Sequence, residues 1–449
     1  MKRVLLLATT TGYQTRSFAE AAKRLDVELV FATDRCDMID DPWRDGAVPI
    51  RFYDEDRSVA SIVELARTRP IDGILVVGDR PTVIAARAAQ ALGLPGHPPE
   101  AAAIARNKEM MRTRLRDAGL PVPWFIRSSI DHEPSALSHP ASAPVETDGA
   151  TARLAEPPEA RRRQPLSYPC VVKPVALSGS RGVIRADDPA AFAAAFERLR
   201  ALLRSPEVRS ERNDANETIL IESFIAGREY AVEAILQHGA LHVLAIFDKP
   251  DPLDGPFFEE TIYVTPSASS PDVQNAIVRG VTAAATAIGL HHGPIHAECR
   301  VHPSTGDVFV LEVAARPIGG LCARVLRGFE ELLLRHALGD VPDWPAEASA
   351  SGVMMIPIPR RGYLRRVDGV DAARAVLQIE DVRITAKQDQ LLVPLPEGAS
   401  YLGFIFARAS DPSAVERALR EAHARLAFFI DPELPLLAAS QTRYNHRHG

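Results

Sequence analysis

The chain has 449 residues, too many for one ordinary core, so roughly two to four domains are expected. It is 46% hydrophobic and 24% charged with a formal net charge of −6, a globular composition that gives no electrostatic reason to expect nucleic acid. No run approaches the roughly 18 apolar residues of a membrane span, so the expected partner is a small molecule and not a membrane.

The N-terminal "MKRVLLLATTTG" has too short an apolar run for a signal peptide, about five residues against the 7–15 required. It reads as a strand over 3–9. A helical pattern follows at 17–25, a strand at 27–33, a helix at 59–68, a strand at 73–79 and a helix at 81–92. Continuous apolar strands alternating with amphipathic helices imply a parallel α/β domain over 1–104. Its ligand-facing loops would be Thr9-Thr10-Thr11-Gly12 and Gly78-Asp79-Arg80, at the carboxyl ends of strands. The first lacks the G-x-G-x-x-G of a dinucleotide fold, which leaves a scaffold that contributes to a cleft.

Residues 128–166 lose hydrophobic periodicity, include the Arg161-Arg162-Arg163 run, and read as a flexible insertion. Strands are predicted at 218–225, 229–239 and 241–249, a helix near 271–289, then two strands in "GPIHAECRVH" and "DVFVLEVAAR". Strand-turn-strand order suggests antiparallel sheets here. After the Pro-rich "VPDWP" at 341–345 a separate α+β unit is expected. It would hold strands near 382–394, the glycine-marked "GASYLGFIFARA" and the helical "PSAVERALREAHARLAF". The predicted domains are 1–104, 105–345 (with a small lid subdomain at 167–226) and 346–449. Cys36, Cys170, Cys299 and Cys322 form no C-x-x-C pair and are expected as free thiols in a reducing cytoplasm.

Three groups of residues are candidates for chemistry. Lys173 ends the strand "CVVKP" and is followed by Ser178-Gly179-Ser180-Arg181-Gly182. A Walker A motif is excluded, because there the lysine follows the glycines. Small residues can still aim successive N–H groups at an anion, so the loop reads as either a turn or a phosphate nest. Glu298 and Glu312 lie in successive apolar strands joined by the turn-like "HPSTG". A hairpin would set the carboxylates side by side, and their repulsion would be relieved by a divalent ion such as Mg²⁺. Arg316, four residues beyond Glu312, would lie close enough to stabilise a transferring phosphoryl group. In "IESFIAGREYAVEA" the connector between Glu222 and Glu229 is an ordinary hairpin or a seat for an adenine edge. His296-Ala297-Glu298 matches the H-x-E of zinc deaminases, but the required P-C-x-x-C is absent.

In this order the residues resemble the ATP-grasp superfamily, over nearly the whole chain. That resemblance implies a parallel α/β domain, an ATP-grasp domain of two α+β subdomains with antiparallel sheets, and a C-terminal α+β domain. "RNKEMMRTRLRDAGLPVPWF" is similar to the segment in which a lysine, here Lys108, reaches the nucleotide phosphates, and Lys173 would be the second such lysine. The "SGSRG" loop, with Ser178, Gly179, Ser180 and Gly182, would cover the phosphates. Glu222 and the backbone of Ser223 and Ile225 would hold adenine, and Glu229 the ribose. Glu298 and Glu312 would ligate Mg²⁺, with Mn²⁺ as the alternative ion, and Arg316 would face an acyl phosphate. Family members often read E-x-N-x-R where this chain has Glu312-Val313-Ala314-Ala315-Arg316, so one metal ligand is missing. The E-x-A-A-R pattern is similar to that of the L-amino acid ligases.

The resemblance implies an ATP-dependent carboxylate–amine ligase of the cytoplasm, with a small carboxylate and an amine as substrates; a homodimer is left open. Lys249 is grouped with Arg316 as catalytic. Lys249 or Arg324 would hold a substrate carboxylate, Glu259 or Glu260 an ammonium, and His296 would orient the substrate. The rivals are a carboxylase acting through carboxyphosphate and an ATP-binding regulator without catalysis.

Overall fold

Val4, Leu5, Leu6 and Leu7 are fully buried, so the first strand must be covered on both faces. In the computed structural model, which describes residues 1–9, 13–34, 47–132, 139–140, 163–164, 166–344, 347 and 349–433, it is. Strands β1 (Lys2–Ala8), β2 (Val27–Asp34), β3 (Val48–Ile50) and β4 (Gly73–Val77) form a parallel sheet in the order β3-β2-β1-β4. Helices α1 (Tyr13–Arg24), α2 (Glu55–Thr68) and α3 (Thr82–Leu92) alternate with them. Two further helices, α4 (Pro99–Ala105) and α5 (Lys108–Asp117), lead away from this sheet. The start of α5 is fixed by the Asn107 side chain, which accepts the Met110 N–H at 3.0 Å.

A second, antiparallel sheet holds β5 (Phe125–Ser129), β6 (Cys170–Pro174), β7 (Ile184–Ala186) and β8 (Thr218–Ser223), ordered β5-β8-β6-β7. Helix α6 (Pro189–Leu203) lays Phe192, Phe196, Leu199 and Leu203 on it. Its Asp188 cap and following proline set where the helix begins. The predicted lid at 167–226 therefore lacks one of its strands. Residues 125–129 pair with β8, and Ile130 is buried behind them, although 128–130 fall in the stretch read as insertion. Most of that insertion lies outside the described residues, as do Cys36 and Thr10 to Gly12.

The third sheet is the largest. It runs through β9 (Arg228–Gln237), β10 (Ala240–Asp248), β11 (Ile262–Thr265), β12 (Gly293–Val301) and β13 (Val308–Ala314). It continues in β14 (Ala350–Ile356), β16 (Ile379–Ile384) and β17 (Gly403–Ala409); β15 (Gly362–Asp368) instead pairs with β18 (Ala427–Asp431) and Leu391–Leu392 in a separate sheet. The large sheet is ordered β13-β12-β9-β10-β11-β14-β17-β16, and neighbouring strands run antiparallel. Helix α7 (Pro271–Ile288) covers one end, and α8 (Phe329–Ala337) lies between this sheet and the N-terminal one. Phe329 and Leu333 of α8 belong to one apolar cluster with Val4, Leu6 and Leu75 of the first sheet and Ile235 and Phe247 of the third.

The C-terminal stretch shares the large sheet with what precedes it: β11 pairs with β14 from Ile262↔Met354 to Thr265↔Ser351, so that sheet passes across position 345. The strands expected near 382–394 form as Ile379–Ile384 and Leu391–Leu392, which join two different sheets and are separated by a polar turn in which Asp389 takes φ +62°. Of the cysteines, Cys170, Cys299 and Cys322 are buried free thiols. No helix among the described residues is long and apolar enough to cross a membrane.

Candidate active site

A cleft of about 680 Å³ opens between the second sheet and the third, and is closed from the side by the loops after β1 and β4. Lys108, Lys173, Ser178, Gly179, Ser180, Glu222, Ser223, Ile225, Glu229, Glu260, His296, Glu298, Glu312 and Arg316 all line it. Residues scattered over more than 200 positions of sequence thus meet in one place.

Lys173 lies on β6 and is buried, with its ammonium on the Glu222 carboxylate of β8. The same carboxylate takes Arg112 of α5, whose Nε donates to Oε2 at 2.9 Å and Nη2 to Oε1 at 3.3 Å. Burial brings Lys173 down to about 8 against the pull of Glu222. Burial would raise Glu222, but Arg112 and Lys173 outweigh it and hold it at about 2. The expected adenine contact from the Glu222 side chain is therefore corrected: that carboxylate is occupied by two cations, because α5 delivers Arg112 into the sheet. The Ile225 carbonyl is also occupied, accepting Arg300 Nη1 at 2.7 Å.

The small-residue loop is held in place. Gly179, Ser180 and Gly182 have positive φ, and a Cβ on Gly182 would stand 2.8 Å from Leu199 Cδ1, so only glycine fits there. The Gly182 N–H donates to the Pro396 carbonyl and Arg181 Nε to the Glu397 carbonyl, both at 2.8 Å. At its near end Lys108 Nζ donates to the Leu177 carbonyl at 2.8 Å and stands 3.2 Å from Glu312.

Glu298 and Glu312 are register partners across β12 and β13, beside a bulge at Glu298/Cys299. The hairpin expected from the sequence is the one that forms. Glu298 also belongs to a second group: its carboxylate, with those of Glu229 and Glu260, offers oxygens within 4.8 Å of one another. Lys249 Nζ sits among these three, at 2.8 Å from Glu229, 2.5 Å from Glu260 and 2.9 Å from Glu298. Burial opposes its charge, yet the three carboxylates raise its pKa well above the usual lysine value. Glu260 is pushed up to about 7 by burial and by the charge of Glu298. Glu298 stays well below the carboxylate range despite burial, held there by Lys249 and His296.

Two further assignments change accordingly. Lys249 is engaged by three acids, and Glu229 is taken by Lys249 and by Arg300 Nε at 2.8 Å, so neither side chain is free for a substrate carboxylate or a ribose as expected. Arg324 is directed away from the cleft onto Asp381 at 2.7 Å, and Glu259 does not line it. His296 spans two acids, with Nδ1 3.0 Å from Glu233 and Nε2 3.6 Å from Glu298, and these raise it to about 9 in spite of burial. Arg316 binds both oxygens of Asp79 from the loop after β4, at 2.8 and 2.9 Å.

Sequence reasoning passed over Asp79 as a partner, and over Arg112, Glu233 and Arg300 altogether. A signal existed for Glu233, a lone acid within the apolar run of β9, and for Arg112, a cation between the buried Met111 and Leu115.

Comparison with known proteins adds a family to this geometry. Residues 166–325 match the ATP-grasp domain, 19–96 the ATP-grasp N-terminal domain, and 354–431 the L-amino acid ligase C-terminal domain 2. The chain carries an ATP-grasp domain and the N-terminal domain that goes with it. It resembles the L-amino acid ligase branch. An L-amino acid ligase from Bacillus licheniformis superposes with a TM-score of 0.76 at 27% identity, covering 96% of this chain and 99% of that one. An alanine–anticapsin ligase of Bacillus subtilis is 25% identical over 59% of this chain and 52% of its own length, so the match takes in about half of that ligase. An uncharacterized protein of Sinorhizobium fredii is 24% identical over 96% of this chain and 84% of its own.

Proposed function

We propose that the protein joins a carboxylate to an amine through an acyl phosphate, with an amino acid among its substrates and a peptide-like amide as product, releasing ADP and phosphate. One observation carries the reading: two lysines and a small-residue loop face a pair of carboxylates and a buried arginine across a single cleft. A free carboxylate is a poor acyl donor because its leaving group would be oxide. Transfer of the γ-phosphoryl group of ATP supplies a good leaving group, and the protein's part is positioning and charge neutralisation.

In this reading Lys108, Lys173 and the backbone of Ser178 to Ser180 hold the phosphates, while Gly182, its N–H taken by the Pro396 carbonyl, shapes the loop instead of contacting them as expected. Glu222 and Arg112 act as positioning residues that aim Lys173. The connector at Ser223 and Ile225 borders the adenine, beside the apolar Val171 and Phe258. Glu298 and Glu312, facing each other across the hairpin, are a donor set suited to Mg²⁺ or Mn²⁺. Such an ion would supply positive charge to neutralise the phosphates. Arg316, held by Asp79, stabilises the phosphoryl group in transfer, and the amine attacks the acyl carbon as phosphate departs. Ala314 leaves the ion one protein ligand short of the usual set, and His296 and Lys249 keep Glu298 ionised for it. We propose domain limits at 104/105 and near 345, with the lid beginning at 125.

The test is ADP and phosphate release from ATP and Mg²⁺ with pools of amino acids, repeated with hydroxylamine in place of the amine. Release that requires an amino acid, with hydroxamate formed, is expected. Release with bicarbonate alone would instead make the enzyme a carboxylase, and no release with any pool would remove the ligase reading.

A further inference from the structure

The order of strands in the large sheet lays out the cleft. The facing acids are on β12 and β13, Lys249 follows β10, Glu260 precedes β11, and beyond them come β14 and β17. These last two bring a different surface to the cleft. Met355 of β14, Phe404 of β17 and Tyr401 just before it form an apolar wall, joined by Cys322. Phe404, Met355 and Cys322 are each less than 5% exposed, and Tyr401 is half-buried.

The wall is fixed rather than adaptable. The Phe404 ring stacks on Phe406 at 6.3 Å and 17°, and Tyr401 meets it at 6.3 Å and 58°. Facing the ring is Gly320, with φ +63°, where a Cβ would stand 3.3 Å from Phe404 Cε1 and Cζ and 3.7 Å from Cys322 Sγ. The neighbouring Gly319 also lines the cleft, so two successive residues leave the floor beside the wall without side chains. Glu260 stands beside this wall: the Met355 N–H donates at 2.7 Å to the carbonyl of Thr261, the next residue after it, and Glu260 lines the same cleft as Met355, Tyr401 and Phe404. The apolar surface at Val171, Ile225 and Phe258 belongs to the other side of the cleft, next to the hinge, so the wall is not needed for a nucleobase.

We infer that the carboxylate-donating substrate is an α-amino acid with a large apolar side chain, aromatic or branched aliphatic, lying against Met355, Tyr401 and Phe404 with its ammonium on Glu260. The inference rests on the ligase reading above and narrows it. The glycines leave a volume that a small substrate does not fill, and an aromatic wall rewards each carbon placed on it. A charged side chain would be desolvated there with no partner on the wall.

The experiment has two readouts on the full-length protein. Hydroxamate formation from ATP, Mg²⁺, hydroxylamine and single amino acids should give phenylalanine, leucine or methionine a kcat/KM at least about ten-fold above alanine and glycine. Equilibrium binding of the same amino acids with a non-hydrolysable ATP analogue should follow the same order. Tyr401→Ala should lower the phenylalanine-to-alanine ratio by about five-fold or more, and Gly320→Leu should favour alanine over phenylalanine. Turnover that favours alanine, glycine or charged amino acids overturns the inference and leaves the ligase reading intact. Selective binding of large apolar amino acids without turnover does the reverse. Variants that slow every amino acid equally, or an absence of amino-acid binding, overturn the inference.

Discussion

Arg316 grips both carboxylate oxygens of Asp79 and so ties the end of β13 in the third sheet to the end of β4 in the first. Burial would raise Asp79, but Arg316 outweighs it and keeps the carboxylate ionised. Removing one member of a buried pair leaves the other charge uncompensated, at a cost of about 3–5 kcal/mol. Asp79→Asn should therefore lower unfolding free energy in urea by about 3 kcal/mol and reduce kcat ten-fold or more, with ATP affinity changed little. An unaltered kcat in a folded variant would remove Arg316 from the transfer step.

The Lys173–Glu222 pair makes nucleotide binding depend on pH. Lys173 titrates near 8, so its charge is present below that pH and lost above it. The affinity for ATP, measured by calorimetry, should weaken as pH rises through about 8. In Glu222→Gln the lysine keeps its burial but loses its anion, and the midpoint should move to lower pH. A flat profile from pH 7 to 9 in both proteins would contradict the assignment of Lys173 to the phosphates.

Glu312→Gln keeps the size of the side chain and removes the charge that faces Glu298. The Mg²⁺ concentration for half-maximal turnover should rise at least about ten-fold, with the melting temperature near that of the parent. Unchanged metal dependence would place the ion elsewhere, with Glu229, Glu260 and Glu298 as the next set to test.

A group of histidines far from the cleft predicts acid sensitivity. His336 stacks on His292 at 4.2 Å and 19°, its Nε2 is 2.6 Å from Gln237 Oε1, and His97 Nε2 lies 3.2 Å from the Pro294 carbonyl. Burial lowers His97 and His292 to about 4 and His336 to about 3. The folded state thus binds fewer protons than the unfolded chain between pH 6.5 and 4. Stability is full above about 6.5 and falls with acidification through that window, by up to about 1.4 kcal/mol per pH unit for each group. Urea unfolding at pH 7 and pH 5 should differ by at least about 2 kcal/mol, and His336→Phe should narrow the gap.

Some of the site was legible because it obeys local rules. Glu298 and Glu312 stand out as acids inside apolar strands, and the short turn between them dictates that they face each other. Lys173 likewise follows from its strand and the loop behind it. What could not be read was which cation meets which carboxylate. The partner of Glu222 is Arg112, 110 positions away on a helix whose approach is set by packing against α4 and α7. Lys249 lies between loop and strand, where neither a 3.6-residue nor a 2-residue period indicates direction. The stretch at 341–345 hides its strand pairing for a related reason: proline and loss of periodicity mark a linker, but β11 and β14 pair across it because pairing is decided by edges that meet in space.

That pairing has a bearing on how such enzymes can be recombined. Because β14 and β17 extend the same sheet that carries Lys249 and Glu260, the tail is not an appended module. Cutting the chain at 345 would expose the long side of β11 as an unpaired edge, a template for aggregation. A tail exchanged with that of a relative to alter the substrate would bring its own register into the sheet, so crossovers should be placed in the loops that flank whole strand pairs.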